Sequence, residues 1–186
     1  KSIIQSLAPN MPVSVSSEIL PEFREYERTL VTVMNAYVRP AMRNYLANFE
    51  AKLGELHFKP TVNIVRSDGG LVSVQRAADS PVYTMLSGPA GGVSGAAFVS
   101  GLAGHPNALG FDMGGTSTDV SLIQNGEPTI SRQTSLGYYP IKIPSVEVHS
   151  VGAGGGSIAH VPMTGALRVG PQSAGAMPGP ACYGHG

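Results

Sequence analysis

Phe111-Asp112-Met113-Gly114-Gly115-Thr116-Ser117-Thr118-Asp119 decides the reading of this chain. A strand-like run, residues 108–112, enters it, and a second, residues 119–123, leaves it, so the paired glycines sit at a tight turn between strands. Lacking Cβ atoms, they let a ligand approach the backbone until successive N–H groups converge on an anion. Thr116, Ser117 and Thr118 add hydroxyl donors for phosphate oxygens. Asp112 closes the first strand and Asp119 opens the second, where they can hold Mg2+ or a bridging water beside those oxygens. Carboxylates alone would repel a phosphate. A divalent cation removes the conflict, so the motif implies Mg2+ together with a nucleotide. No Lys follows the glycines, which excludes the P-loop, and a strand rather than a helix follows the turn, which excludes the dinucleotide fingerprint.

Two other glycine stretches stand out. Val151-Gly152-Ala153-Gly154-Gly155-Gly156-Ser157 reads either as a loop approaching nucleotide or substrate, through Gly154, Gly155 and Gly156, or as a flexible connection between strands. Ser87-Gly88-Pro89-Ala90-Gly91-Gly92 leads into a small-residue helix candidate at 93–99. Its first-turn N–H groups favour anions, and its small side chains equally allow close packing on a sheet. Glu147 and His149 share a face if their segment is a strand, as a metal or acid–base pair or as a structural contact. His160 lies beyond the glycines. Cys182, with no His/Asp constellation in view, reads as a buried or incidental thiol.

Charge and glycine are segregated. Of 24 charged residues, 14 lie in positions 1–66, and every glycine except Gly54 lies at or beyond Gly69. Over residues 21–56, Phe23, Tyr26, Leu30, Val33, Met34, Tyr37 and Val38 recur at helical spacing. A start near Ser17, a kink or break at Pro40 and a second helix with Tyr45, Leu46, Phe49 and Leu53 ending near Gly54 are expected. After Pro60, residues 61–66 and 82–86 read as strands, with a turn at Asp68-Gly69-Gly70. Asn125-Gly126 marks a two-residue hairpin. The expected organisation is a helical segment 1–60 linking two lobes, strands and a helix at 61–107 belonging to the first lobe, and a second, truncated nucleotide-binding lobe at 108–186.

Composition narrows the partners. Twelve Lys+Arg balance twelve Asp+Glu, which argues against a nucleic-acid surface. No apolar run is long enough to span a bilayer. The single cysteine excludes an internal disulfide and favours the cytoplasm. The chain opens at Lys1 and closes in a glycine–proline stretch, as expected of a piece of a longer polypeptide.

The hairpin setting of 111–119 resembles the phosphate loops of the actin, sugar-kinase and chaperone ATPases, a ribonuclease H-like α/β fold. Together with 151–159, Pro178-Gly179-Pro180-Ala181-Cys182-Tyr183, Leu86-Ser87-Gly88-Pro89-Ala90 and residues 17–29, it makes essentially the whole chain resemble the hydantoinase A/oxoprolinase family. That resemblance implies two α/β lobes with ATP and Mg2+ in the cleft. It also implies ATP-driven opening of a cyclic amide such as a hydantoin or 5-oxoproline, or service as a subunit of an acetone- or acetophenone-type carboxylase. Carried onto this chain, Asp112 and Asp119 are the catalytic and metal candidates. Gly114, Gly115, Thr116, Ser117 and Thr118 are the nucleotide candidates, with Gly154, Gly155 and Gly156 beside them. The family's earlier D-x-G-G-T-x-T-D loop has no copy here, so the chain offers half a cleft, to be completed by the rest of its polypeptide and a partner subunit or B-type domain. The competing reading is a non-catalytic nucleotide-binding or assembly module.

Overall fold

The computed structural model describes residues 1–58 and 61–185. In chain order it contains α1 (Ser2–Leu7), α2 (Ser16–Ile19), α3 (Glu25–Glu55), β1 (Asn63–Val65), β2 (Leu71–Ser73), α4 (Val74–Asp79), a 3-10 turn (Pro81–Thr84) and α5 (Ser87–Leu102). Then come β3 (Ala108–Met113), β4 (Thr118–Gln124), β5 (Glu127–Pro128), β6 (Ile130–Ser131), β7 (Thr134–Leu136) and β8 (Tyr139–Ile141). β9 (Ser145–Val146), β10 (Val148–Val151), β11 (Ser157–His160) and β12 (Arg168–Ser173) complete the strands. The mixed α/β class is as expected. Two compact units form, Lys1–Gly91 with Ile130–Val146 and Gly92–Thr129 with Glu147–Gly186. They cut across the expected division into consecutive segments, because residues 130–146 join the first unit. The boundary expected at Pro60 lies outside the described residues.

In the first unit, α3 runs unbroken through Pro40. Pro40 is exposed, and the turns on either side are anchored by buried Val31, Asn35 and Leu46. Tertiary packing thus outweighs one missing N–H. The helix begins at Glu25, after Arg24 at a φ of 81°, and closes past Gly54 with His57 in the left-handed region. Its buried face overlaps the expected one only in part: Met34 packs against the core and Leu46 is buried, as expected, but the tyrosines and Val33 are not. Tyr26, Val33 and Tyr37 are 64%, 57% and 83% exposed, because the core side carries Val31, Asn35 and Leu46, about a third of a turn or more away. One apolar cluster joins Ile19, Leu20, Val31, Val82, Ile141 and Ile143, and another joins Leu46, Val74, Ala77 and Ala78. Residues 82–86, expected as a strand, instead begin within a 3-10 turn with Pro81 at its start. Pro81 presets the tight turn's φ and has no N–H for a ladder.

Buried Asn35 ties this unit together. Its amide nitrogen donates to Ser14 Oγ (3.1 Å) and the Asp79 carbonyl (3.2 Å), and its oxygen accepts from the Val82 N–H (3.3 Å). Asp79 receives Arg39 at 2.7 Å, Arg43 at 2.6 Å and Gln75 at 2.9 Å. Partial burial pushes its carboxyl upward, but these donors outweigh that and hold it well below the ordinary carboxylate range.

In the second unit, β3 and β4 form an antiparallel hairpin, β10 adds to the far side of β4, and β5 closes on β4 through Asn125-Gly126. Both turn residues have positive φ, 55° and 84°, as that two-residue connection requires. The small-residue helix expected at 93–99 extends over Ser87–Leu102. A Cβ on Gly110 would stand 3.7 Å from Ala96 Cβ, and one on Gly92 would stand 3.5 Å from an Asp112 carboxylate oxygen. Small residues therefore bring α5 close against β3. The opposite face of the sheet presents Leu109, Phe111, Met113, Leu122 and Val151, all exposed. β11 and β12 pair antiparallel with a register shift between Ser157 and Ala159.

Candidate functional site

The hairpin register builds the site. Met113 pairs with Thr118, and the Gly114 N–H donates to the Ser117 carbonyl at 2.9 Å, which leaves Gly115 and Thr116 as the tip. All of 114–117 is exposed. The two carbonyls of the doubled glycine are both captured from behind: Gly155 N–H donates to Gly114 O at 2.9 Å, and Gly156 N–H to Gly115 O at 2.7 Å. In a planar trans peptide the C=O of one residue and the N–H of the next point in opposite directions. The N–H groups of Gly115 and Thr116 therefore both point away from the 154–156 loop. Neither meets an acceptor among the described residues. Two adjacent, outward, exposed amides at a turn have the geometry that can accept an anion.

Beside them runs a row of polar side chains. Asp112 is the direct cross-strand partner of Asp119, and Asp119 of Ser150, so all three share one face across β3, β4 and β10. Ser150 Oγ donates to Asp119 Oδ1 at 2.5 Å. Directly opposed carboxylates repel, and the pairing is relieved by that hydroxyl and by any cation placed between them. The donor set suits Mg2+, which takes few protein oxygens and completes its shell with water and phosphate. No group of three or more His, Cys, Asp or Glu side chains able to hold a metal occurs among the described residues.

Other expected residues sit differently. Thr118 is buried, and its hydroxyl donates to the Ala153 carbonyl at 2.6 Å, holding the second glycine loop rather than facing outward. Residues 154–156 lie against the first loop, with Gly156 buried and Gly155 exposed. Glu147 lies outside β10, and although both Glu147 and His149 are exposed, no hydrogen bond joins them among the described residues. His160 Nδ1 is buried without a partner among the described residues, and Cys182 is a free, exposed thiol. The first unit holds a separate cavity of about 430 Å³, lined by Glu18, Glu22, Arg66, Arg76 and Tyr83 among others, with none of the expected site residues. Within it Arg66 lies over the Tyr83 ring, 5.3 Å from its centroid, and burial pushes the Tyr83 phenol upward. Sequence reasoning does not single out Ser150 or Ser173, because their neighbours are set by a strand register that no motif fixes.

A family model described as hydantoinase/oxoprolinase matches residues 28–186. The chain belongs to the hydantoinase/oxoprolinase family. Within it, the caprolactamase alpha subunit of Pseudomonas jessenii is 38% identical over all of this chain and 27% of that protein. 5-Oxoprolinase 1 of Arabidopsis thaliana is 40% identical over 92% of this chain and 13% of its own length. The crystal structure of the ATP-dependent caprolactamase superposes with a TM-score of 0.84 over 99% of this chain. Nucleotide-free acetone carboxylase does so at 0.73, with 33% identity over 94% of this chain and 24% of that one. The chain thus spans about a quarter or less of these relatives.

Proposed function

We propose that this chain is the phosphate-binding portion of an ATP-dependent hydrolase that opens a cyclic amide. The observation that carries this reading is the pair of outward amides on Gly115 and Thr116, set beside the opposed carboxylates of Asp112 and Asp119. The fold we assign to the complete enzyme is the two-lobed actin and sugar-kinase type, with this hairpin as a phosphate loop. The kinship with an ATP-dependent caprolactamase supports both the nucleotide and the lactam.

An amide oxygen is a weak nucleophile and a ring amide a poor electrophile. In the reaction we assign, the lactam oxygen attacks the terminal phosphorus and ADP departs. Water then adds to the activated carbon, the ring C–N bond breaks to give the amine, and a second water hydrolyses the acyl phosphate to carboxylate and phosphate. The amides of Gly115 and Thr116 bind the phosphoryl oxygens on which charge accumulates. Asp112 and Asp119 would hold Mg2+, which supplies charge neutralisation on the phosphates. Ser150 fixes the Asp119 carboxylate through its hydrogen bond. Completion of the cleft falls to further polypeptide and, as the name of the caprolactamase alpha subunit suggests, to a partner subunit.

In the complete polypeptide, Asp112→Asn is expected to abolish ATP hydrolysis while leaving the fold intact; undiminished hydrolysis refutes the assignment. The likeness to acetone carboxylase supports a second reading, in which the phosphorylated group belongs to bicarbonate or an enolate. Assaying ATP turnover with lactams against ketone plus bicarbonate separates the two.

A further inference from the structure

The sequence reads the glycines at 154–156 either as touching ligand or as a flexible link, and their surroundings add a third part for them to play. A Cβ on Gly154 would stand 2.6 Å from Gly114 O, 2.8 Å from Ser117 N and 2.9 Å from the Gly115 carbonyl carbon. All three are backbone atoms of the phosphate loop, and none can swing aside. A Cβ on Gly156 would meet Gly115 O at 3.0 Å, Ser173 Oγ at 3.0 Å and Gly175 O at 3.1 Å. The layer behind is equally ordered. Ala174 N–H donates to Gly156 O at 2.7 Å, and Ser173 Oγ reaches Gly115 O at 3.4 Å while accepting from Gly175 N–H at 3.0 Å. Gly170, at a φ of 69°, has room for no Cβ beside the Gly152 carbonyl. The segment 154–156 is thus pressed between the 114–117 tip and the 173–175 strand end.

We propose that Gly154 and Gly156 are positioning residues that set the direction of the phosphate-facing amides without touching the nucleotide. By letting the amides of Gly155 and Gly156 reach the carbonyls of Gly114 and Gly115, they rotate two consecutive peptide planes so that the N–H groups of Gly115 and Thr116 turn outward together. Peptide planarity converts contacts on the rear of the loop into geometry on its front. Thr118 secures the same arrangement from one side through Ala153. This inference rests on the nucleotide reading of the 114–117 tip, and it assigns the second loop a role distinct from ligand contact.

Gly152 provides an internal control. It lies in the same loop, yet a Cβ there meets nothing within 4 Å. In the complete polypeptide, Gly154→Ala is expected to weaken magnesium-ADP binding or lower kcat at least about tenfold, as loss of one preorganised hydrogen-bond donor does elsewhere. Gly156→Ala should have a smaller effect, following its looser contacts, and Gly152→Ala should stay within about twofold of the parent. Hydrogen exchange measured without nucleotide supplies the second readout: peptides covering 111–119 should exchange faster in Gly154→Ala but not in Gly152→Ala. If Gly154→Ala does not fold, the comparison of Gly156→Ala with Gly152→Ala carries the same test. Equal losses in Gly152→Ala and Gly154→Ala, or unchanged exchange and binding in Gly154→Ala, overturn the proposal. A parent protein that binds no magnesium-ADP, yet shows the exchange difference, overturns the nucleotide reading and leaves the positioning of the tip standing.

Discussion

Replacing Asp112 by Asn should make the protein more stable without divalent cation and less stable with magnesium-nucleotide. Asp112 and Asp119 are direct cross-strand partners, and such residues hold their Cβ atoms about 5 Å apart. Asp112 is exposed, so a water-like dielectric applies and two unit charges at that spacing repel by about 0.8 kcal/mol. Physiological salt screens some of this, which leaves about 0.5 kcal/mol gained by the Asn variant. The Ser150–Asp119 hydrogen bond is untouched by the change and does not alter the difference. Ligand linkage works the other way. At a hundred times its Kd, magnesium-ADP adds about 2.7 kcal/mol to the native state that binds it. The assay is unfolding of the complete polypeptide and its Asn variant, first in EDTA at low and high salt, then with magnesium-ADP. The variant should unfold later in EDTA, with a gap that narrows as salt rises, and earlier once ligand is present. A variant less stable in EDTA, or equal stabilisation of both proteins by magnesium-ADP, refutes the paired-carboxylate site.

Other perturbations test the frame around it. Asn35→Ala removes a buried amide and leaves the Val82 N–H and Asp79 carbonyl without that partner, so denaturant unfolding should register a loss of about 3 kcal/mol. Asp79→Asn should destabilise at neutral pH. Because the native carboxyl titrates below its unfolded value, the stability it lends is present above about pH 4 and fades as pH falls further; the gap between parent and variant should therefore shrink in acid. Thr118→Val keeps the shape but strands the Ala153 carbonyl, and should cost about 1–2 kcal/mol in the same unfolding measurement.

Much of the second unit is legible in the sequence because its determinants are local. The 108–123 hairpin and the Asn125-Gly126 turn follow from strand-like runs and turn residues alone, and the small residues of 87–99 foretell a helix close to a sheet. The first unit is less legible because its determinants are distant. Whether Tyr37 or Asn35 faces the core depends on what packs against α3, and the partners of Asn35 at Ser14, Asp79 and Val82 lie up to 47 positions away. Pro40 reads locally as a stop, yet neighbouring turns hold the helix through it. At the site, residue types announce an anion loop, but only the strand register shows that Asp112, Asp119 and Ser150 form one row. Only the backbone hydrogen bonds show that the triple glycine lies behind the loop.

The bare side of the β3–β4–β10 sheet has a practical consequence. Leu109, Phe111, Met113, Leu122 and Val151 are the kind of contiguous oily surface that soluble proteins keep covered. Produced by itself, this stretch of polypeptide should bind apolar dyes, self-associate with rising concentration and resist crystallisation until that surface is mutated to polar residues or clothed by neighbouring sequence. Choosing where to cut an expression clone is therefore a question about this sheet as much as about the 114–117 turn.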